Sequence, residues 1–251
     1  MSGHSKWSTI KRKKGAADAK RGKIFSRLAK EIAVAAREGG GDAEMNPRLR
    51  TVLLAAKAQN MPKDNVERAI QKGTGGGDGT SYEEVRYECY APGGVALIVD
   101  VLTDNKNRTV AEIRHLLSRH NGSMATNGAV VWNFDERGSI TVPKNGMDEE
   151  ELLEKAIEAG ADDVDPSGEE VCVITTAPQE LHAVAQALTD AGLTTESAEL
   201  TMVPKTTVQI TGKTADSVLK LMEALEEHDD VQNVFANFDI PDEEMAALME
   251  A

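Results

Sequence analysis

Aromatic residues are scarce in this 251-residue chain, with two Trp, three Tyr and four Phe making up 4% of it. A β-sheet that reads RNA by stacking needs exposed aromatics, and no stretch here has the Arg-Gly-Phe-Ala-Phe-Val character of such sheets. Trp132 and Phe134 alternate with Val130 along an expected strand, "AVVWNF", which assigns them to a core. Cysteine is rarer still. Cys89 and Cys172 each lie in an apolar, strand-like run, which suits buried free thiols in a reducing compartment, so the expected location is the cytoplasm. No run of 18 apolar residues occurs, so no membrane helix is expected, and the first apolar cluster lies behind basic residues, unlike a secretory signal. A mitochondrial transit peptide would share the basic, acid-poor start, but Arg is no commoner than Lys there.

Catalytic signatures are missing as well. His4, His115, His120, His182 and His228 stand in five contexts without ligand spacing, and no Ser, His and Asp arrangement has a nucleophile elbow. "TGKT" at 211–214 resembles the end of a phosphate loop but has Thr207 where the first glycine is required. "GTGGGDG" has neither a strand before it nor Lys-Ser/Thr after it, and reads as a linker. Carboxylate clusters, Asp162 with Asp163 and Glu226, Glu227, Asp229 with Asp230, fall at helix ends and are expected to be solvated. The expectation is a non-enzyme with no cofactor, no metal and no small-molecule substrate.

What is present is charge, unevenly placed. Residues 1–37 hold 11 Lys or Arg and 2 acids; residues 38–78 hold 6 of each; residues 79–251 hold 11 bases and 34 acids. A basic end on an acidic body reads as a polyanion-binding arm on a body that repels polyanions elsewhere. Within the arm, "KWSTIKRKKGAADAKRGKIF" at 6–25 places eight cations against one Asp, with Trp7 beside Lys6. About eight cations neutralising phosphates release enough counterions to supply most of a salt-sensitive nucleic-acid affinity. Such contacts position a ligand without reading its sequence.

Periodicity organises the remainder. A helix is expected from Ala16 to Glu38, with Ile24, Phe25, Leu28, Ala29, Ile32 and Ala36 inward and Lys23, Arg27, Lys30 and Arg37 outward. A second starts at the Asn46 cap and Pro47, and a third, short one carries Val66, Ala69 and Ile70 inward. These two helices also fit a helix-turn-helix, with Lys63, Asn65, Arg68, Gln71 and Lys72 available to base edges. The period then changes to strands. "YEEVRYECY" and "GVALIVDVL" form a hairpin through "APGG", followed by a helix from Asn107 to His120 capped by Asn107 or Thr109. Residues 138–203 run βαββαβ, the ferredoxin-like order, with Thr176 and Gln179 spaced as a capping box. "TTVQIT", a helix over 214–227 and "VQNVFANF" complete the earlier sheet. The loop "TDNKNRT" at 103–109 is the one cationic spot in the acidic half, and Arg108, His115 and Arg119 share a helix face beside it.

The motifs "GHSKW" (3–7), "AADAKRGKIFSRL" (16–28), "GGGDAEMNPRLR" (39–50), "NMPKDNVERAI" (60–70) and "LTDNKNRTVAEIRH" (102–115) stand in order. Together they resemble the YebC family of transcriptional regulators and translational activators of cytochrome c oxidase I. The chain departs from that pattern at "YECYAPGG", where glycine is usual at Cys89 and Ala91, and at "NGSMATNGAV". The resemblance implies three domains, no catalysis, and binding either to DNA as a transcription regulator or to ribosomal RNA and the ribosome as a translation factor. It places the basic motif on Lys6, Lys11, Arg12, Lys13, Lys14, Lys20, Arg21 and Lys23, and a loop motif on Asn105, Asn107 and Arg108.

The expected fold class is thus α+β: a basic helical domain over 1–78, a discontinuous α+β domain over 80–135 and 204–240, an inserted ferredoxin-like α+β domain over 136–203, and a tail over 241–251. The nucleic-acid contacts are expected from the family positions together with Trp7, Arg27 and Lys30. An acidic protein-interaction module that docks a basic partner is the remaining alternative.

Overall fold

The computed structural model describes residues 17–76, 82–166, 171–241 and 244, with side chains from residue 22 onward. Its mixed α+β chain opens with helices, α1 (Ala17–Gly39), α2 (Pro47–Ala58) and α3 (Lys63–Gln71). Leu28, Ile32 and Ala35 of α1 pack on Leu49, Val52 and Ala56 of α2 and on Ala69 of α3. Asn46 explains how α2 starts so sharply. Its Oδ1 accepts from the Leu49 N–H at 3.0 Å while its Nδ2 donates to the Ala35 and Gly40 carbonyls, both at 2.8 Å. One buried amide thereby caps one helix and closes the end of another. The expected linker at 73–80 is partly built: Lys72–Gly76 forms a further helical turn, and a Cβ on Gly73 would collide with the Ala33 carbonyl.

Next come β1 (Glu83–Ala91), β2 (Val95–Thr103), α4 (Lys106–Arg119) and β3 (Ser123–Met124). After the insertion the chain returns as β8 (Val208–Gln209), α7 (Gly212–Glu226), β9 (Val231–Ala236) and β10 (Phe238–Asp239). The sheet order β3-β1-β2-β9 is antiparallel throughout, and β8 pairs with β10 in parallel. Leu97, Val99 and Val101 of β2 pack on Ile113 and Leu117 of α4 and on Val218, Leu221 and Met222 of α7, so both helices cover one face.

The insertion comprises β4 (Phe134–Pro143), α5 (Glu149–Glu158), β5 (Asp163–Asp165), β6 (Val171–Thr176), α6 (Leu181–Asp190) and β7 (Ser197–Pro204). Its sheet order, β5-β6-β4-β7, is the ferredoxin-like one. Chain contacts divide the protein into two compact units, residues 135–203 and the segments on either side of them. The inserted unit holds 3 bases and 17 acids, a net −14 that equals the charge of the whole chain; the rest holds 25 of each. At the neck, Asn133 ties the outgoing strand to the returning one. Its Oδ1 accepts from the Thr206 amide at 3.1 Å and hydroxyl at 2.7 Å, and its Nδ2 donates to the Thr206 carbonyl at 3.1 Å.

Three local expectations need correction. Residues 131–133 form a tight 3-10 turn in place of a strand, so Val130 and Phe134 are buried while Trp132 is 65% exposed. The cause is Glu88, whose carboxylate accepts the N–H groups of Gly128 at 2.5 Å, Val130 at 2.7 Å and Val131 at 2.9 Å and bends the segment out of alternation. Thr176 does not cap α6. Its hydroxyl donates to the Ala177 carbonyl, and the turn Pro178–Glu180 intervenes before the helix. The expected helix start at Asn107 is corrected below, with its cap. Burial pushes the Cys89 thiol up to about 12 and the Cys172 thiol up to about 11, so neither is reactive near neutrality. Among the described residues no helix is long and apolar enough to cross a membrane.

Replacing Asn46 by Ala removes the cap and the bonds to two carbonyls, of which that of Ala35 is buried. A loss of about 3 kcal/mol is expected, read as a lower urea midpoint with an unchanged slope.

Candidate nucleic-acid interface

Lys23, Arg27 and Lys30 recur at helical spacing on α1, so their side chains form one row. That row faces the C-terminal end of α7. Lys23 Nζ donates to the Glu227 carbonyl at 2.8 Å, Arg27 donates to the Glu226 carbonyl, and Lys30 Nζ donates to the Asp229 carbonyl at 3.0 Å. The last carbonyls of a helix lack intrahelical partners and carry its negative partial charge, which Lys23 and Arg27 here complement, while Lys30 meets a carbonyl just past the helix. Arg27 is half-buried, and loss of hydration lowers its pKa despite the nearby Glu226, Glu31 and Asp229 charges. Arg27 and Lys30 are thus part-buried against protein while Lys23 stays exposed, so the row is only partly outward, in contrast to the outward placement expected from the sequence.

Beyond the end of α7 lies Asp230, expected in a solvated acidic cluster but only 4% exposed. Its Oδ1 accepts from Lys30 Nζ at 2.7 Å. Its Oδ2 accepts from the Arg108 guanidinium at 2.7 Å, the Thr109 hydroxyl at 2.7 Å and the Thr103 hydroxyl at 3.1 Å. Burial on its own would raise this carboxyl. The hydrogen bonds from Lys30, Arg108 and Thr109, with the Lys30 charge, outweigh that and hold it well below the usual carboxylate range.

The loop "TDNKNRT" is absorbed into the same node. Asn105 caps α4 by accepting the Arg108 N–H at 3.1 Å, in place of Asn107 or Thr109. A cap must lie outside the helix with its side chain folded back, whereas Asn107 is already in the first turn and exposed, and Thr109 is buried facing Asp230. Arg108 also bonds Asp104 at 3.0 Å. His115 and Arg119 are exposed farther along α4.

Glu112, His228 and Asp230 bring three potential metal-ligand atoms within 4.8 Å of one another. The set does not suit a cation, because Lys30 and Arg108 already occupy Asp230 while His228 Nε2 engages Glu112 at 2.9 Å. On α3, Lys63 pairs with Glu67, and Arg68 bonds the Asp64 carbonyl and the Asn65 side chain. Lys72 sits 5.0 Å from the Tyr82 ring centre. Of the expected phosphate contacts, Lys6, Trp7, Lys11, Arg12, Lys13 and Lys14 lie outside the described residues, as do the side chains of Lys20 and Arg21 on α1.

Known proteins resemble this chain over almost its entire length. The family model described as "TACO1/YebC protein N-terminal domain" matches residues 5–76, and that described as "TACO1/YebC second and third domain" matches residues 82–238. A protein of Geobacter sp. (strain M21) named "probable transcriptional regulatory protein" is 57% identical over 249 residues, covering 99% of this chain and all of that one. One of the same name from Desulforapulum autotrophicum is 55% identical over 248 residues, with the same coverage. The crystal structure of a conserved hypothetical protein from Aquifex aeolicus superposes with a TM-score of 0.84 at 54% identity, covering 90% of this chain and 93% of that one.

Replacing Asp230 by Asn removes the charge that balances Lys30 and Arg108. Because both cations can partly rehydrate, a loss of about 2–4 kcal/mol is expected at pH 7. A folded carboxyl held below its ordinary 3.8 stabilises above that pH and loses the contribution as pH falls further. Urea titrations should therefore show a gap between the native and D230N chains that is full at pH 7 and closes in acid.

Proposed function

Because the chain belongs to the TACO1/YebC family, we propose that it is a non-enzymatic, nucleic-acid-binding regulator of gene expression, acting in the cytoplasm on DNA as a transcriptional regulator. The observation that carries this reading is the separation of charge. Residues 1–37 are strongly basic, the 135–203 unit is strongly acidic, and the cations nearest the folded body are engaged by α7 and Asp230. Phosphate binding then falls to Lys6, Lys11, Arg12, Lys13, Lys14, Lys20 and Arg21, while the acidic unit repels the ligand from elsewhere. The names of the relatives favour transcription.

A second reading, binding of ribosomal RNA as a translation factor, is favoured by α3. Of the side chains a recognition helix would aim at base edges, Lys63, Asn65 and Arg68 are there paired within α3, and Lys72 lies over the Tyr82 ring. Phosphate binding by an arm suits folded RNA as well as a duplex.

The test is the full chain with Lys11, Arg12, Lys13 and Lys14 all changed to Gln. Affinity for promoter duplex and for ribosomal particles would be measured across a salt series. Loss of four phosphate contacts should flatten the log–log salt slope by roughly 3 to 4 on the physiological ligand. An unchanged slope on both ligands would remove the arm from the mechanism and leave the acidic unit as a docking module for a basic protein.

A further inference from the structure

In a chain with two tryptophans, one is held out in solvent. Trp132 is 65% exposed, and Tyr90, on the neighbouring strand β1, is 38% exposed. Both rings converge on a single carbonyl. The Trp132 indole N–H donates to the Ala129 carbonyl at 2.9 Å, and the Tyr90 hydroxyl lies 3.4 Å from the same oxygen. The polar edges of the rings are thereby tied down while an indole face is left to solvent. The turn that carries Trp132 is held rigid from beneath, since the Glu88 carboxylate accepts three of its backbone N–H groups. Burial would raise the Glu88 carboxyl, but the amides of Val130, Gly128 and Val131 with the Arg86 charge hold it below its ordinary range, so the brace is charged at neutral pH. Lys205 brings a cation to the same spot, its Nζ donating to the Trp132 carbonyl at 3.1 Å.

The surroundings specify the partner. Thr126, Asn127 and Gly128 of the turn and Asn121 before it are polar or small, and among the described residues the other exposed large apolar residues of this unit, Met45 and Leu54, lie on the helical segment. A protein-docking hot spot is enclosed by further contact surface that excludes water. A rigid indole face in polar surroundings with an adjacent ammonium matches what an unpaired base and its phosphate require: a π-face to stack on and a cation nearby.

We propose that Trp132, flanked by Tyr90 and Lys205, is a stacking platform for an unpaired base of single-stranded nucleic acid. This rests on the nucleic-acid reading above and adds a second, base-contacting point to the phosphate-binding arm.

Replacing Trp7 by Phe in the full chain leaves Trp132 as the sole tryptophan. This protein is titrated with oligo(dT) and oligo(rU) of about ten nucleotides, within the span one single-strand module covers. Labelled-oligonucleotide anisotropy follows binding while tryptophan emission follows the platform. Quenching that saturates with the anisotropy change is expected. Trp132→Ala should weaken binding roughly 5- to 150-fold, the loss of one stacked base, while Trp132→Phe retains most of the affinity. Binding seen by anisotropy with unchanged Trp132 emission would overturn the platform and leave the nucleic-acid reading standing, as would binding of duplex alone. Absence of binding to both single strands and duplex by the native chain, with Trp7 in place, would overturn both. Should Trp132→Ala fail to fold, the emission titration on the Trp7→Phe chain decides alone.

Discussion

A carboxylate taken out of water must be compensated or it will not stay ionised, and that requirement at Asp230 organises this protein. Lys30 arrives from the first helix, Arg108 and Thr109 from the helix after the central strand, and Thr103 from the end of that strand. Segments separated by 122 and 200 positions in sequence are thus fixed to one oxygen pair. The same constraint decides where ligand binding can take place. A lysine holding a buried acid is not available to a phosphate, so the row that ends in Lys30 acts as an internal fastening. On the proposed reading, the body would contribute shape and repulsion, and the cations preceding it would contribute attraction.

A second buried acid, Glu88, is compensated differently. Its oxygens are met by backbone amides of one turn, so the solution is local and builds a loop, whereas Asp230 joins distant elements. Each carboxylate therefore explains something the other does not: one places the helical segment, and the other determines which side chains the 125–132 segment presents to solvent.

The elements themselves were legible because their cause is local. The apolar stripe of α1, the Asn46 and Pro47 start of α2, and the βαββαβ order of the insertion follow from periodicity and turn chemistry and appear at nearly the expected places. The strand after "APGG" read as central because it is apolar on both faces, and it does lie between β1 and β9. What was not legible depends on partners far away in sequence. Asp230 looks like its acidic neighbours until Lys30 and Arg108 are placed around it. Trp132 looks like a core residue until Glu88 removes its segment from the sheet. The pairing of Thr103 with Thr109 left a trace, two hydroxyls flanking an Asn cap, but short polar loops commonly carry such residues for capping alone. The basic face of α1 was legible as a face; that it meets a helix end was not, because carbonyl charge leaves no mark in a sequence.

The clasp between Asn133 and Thr206 brings the two crossings of the insertion within hydrogen-bonding distance, so the host sheet and helices would close without the intervening chain. A descendant that lost residues 135–203 through a short joining turn would keep 25 cations and 25 acids and carry no net charge. Copies of such a chain would lack the mutual repulsion that opposes clumping in a crowded solution. The acidic insert, which carries the whole of the chain's net negative charge, thus bears on colloidal behaviour as well as on fold.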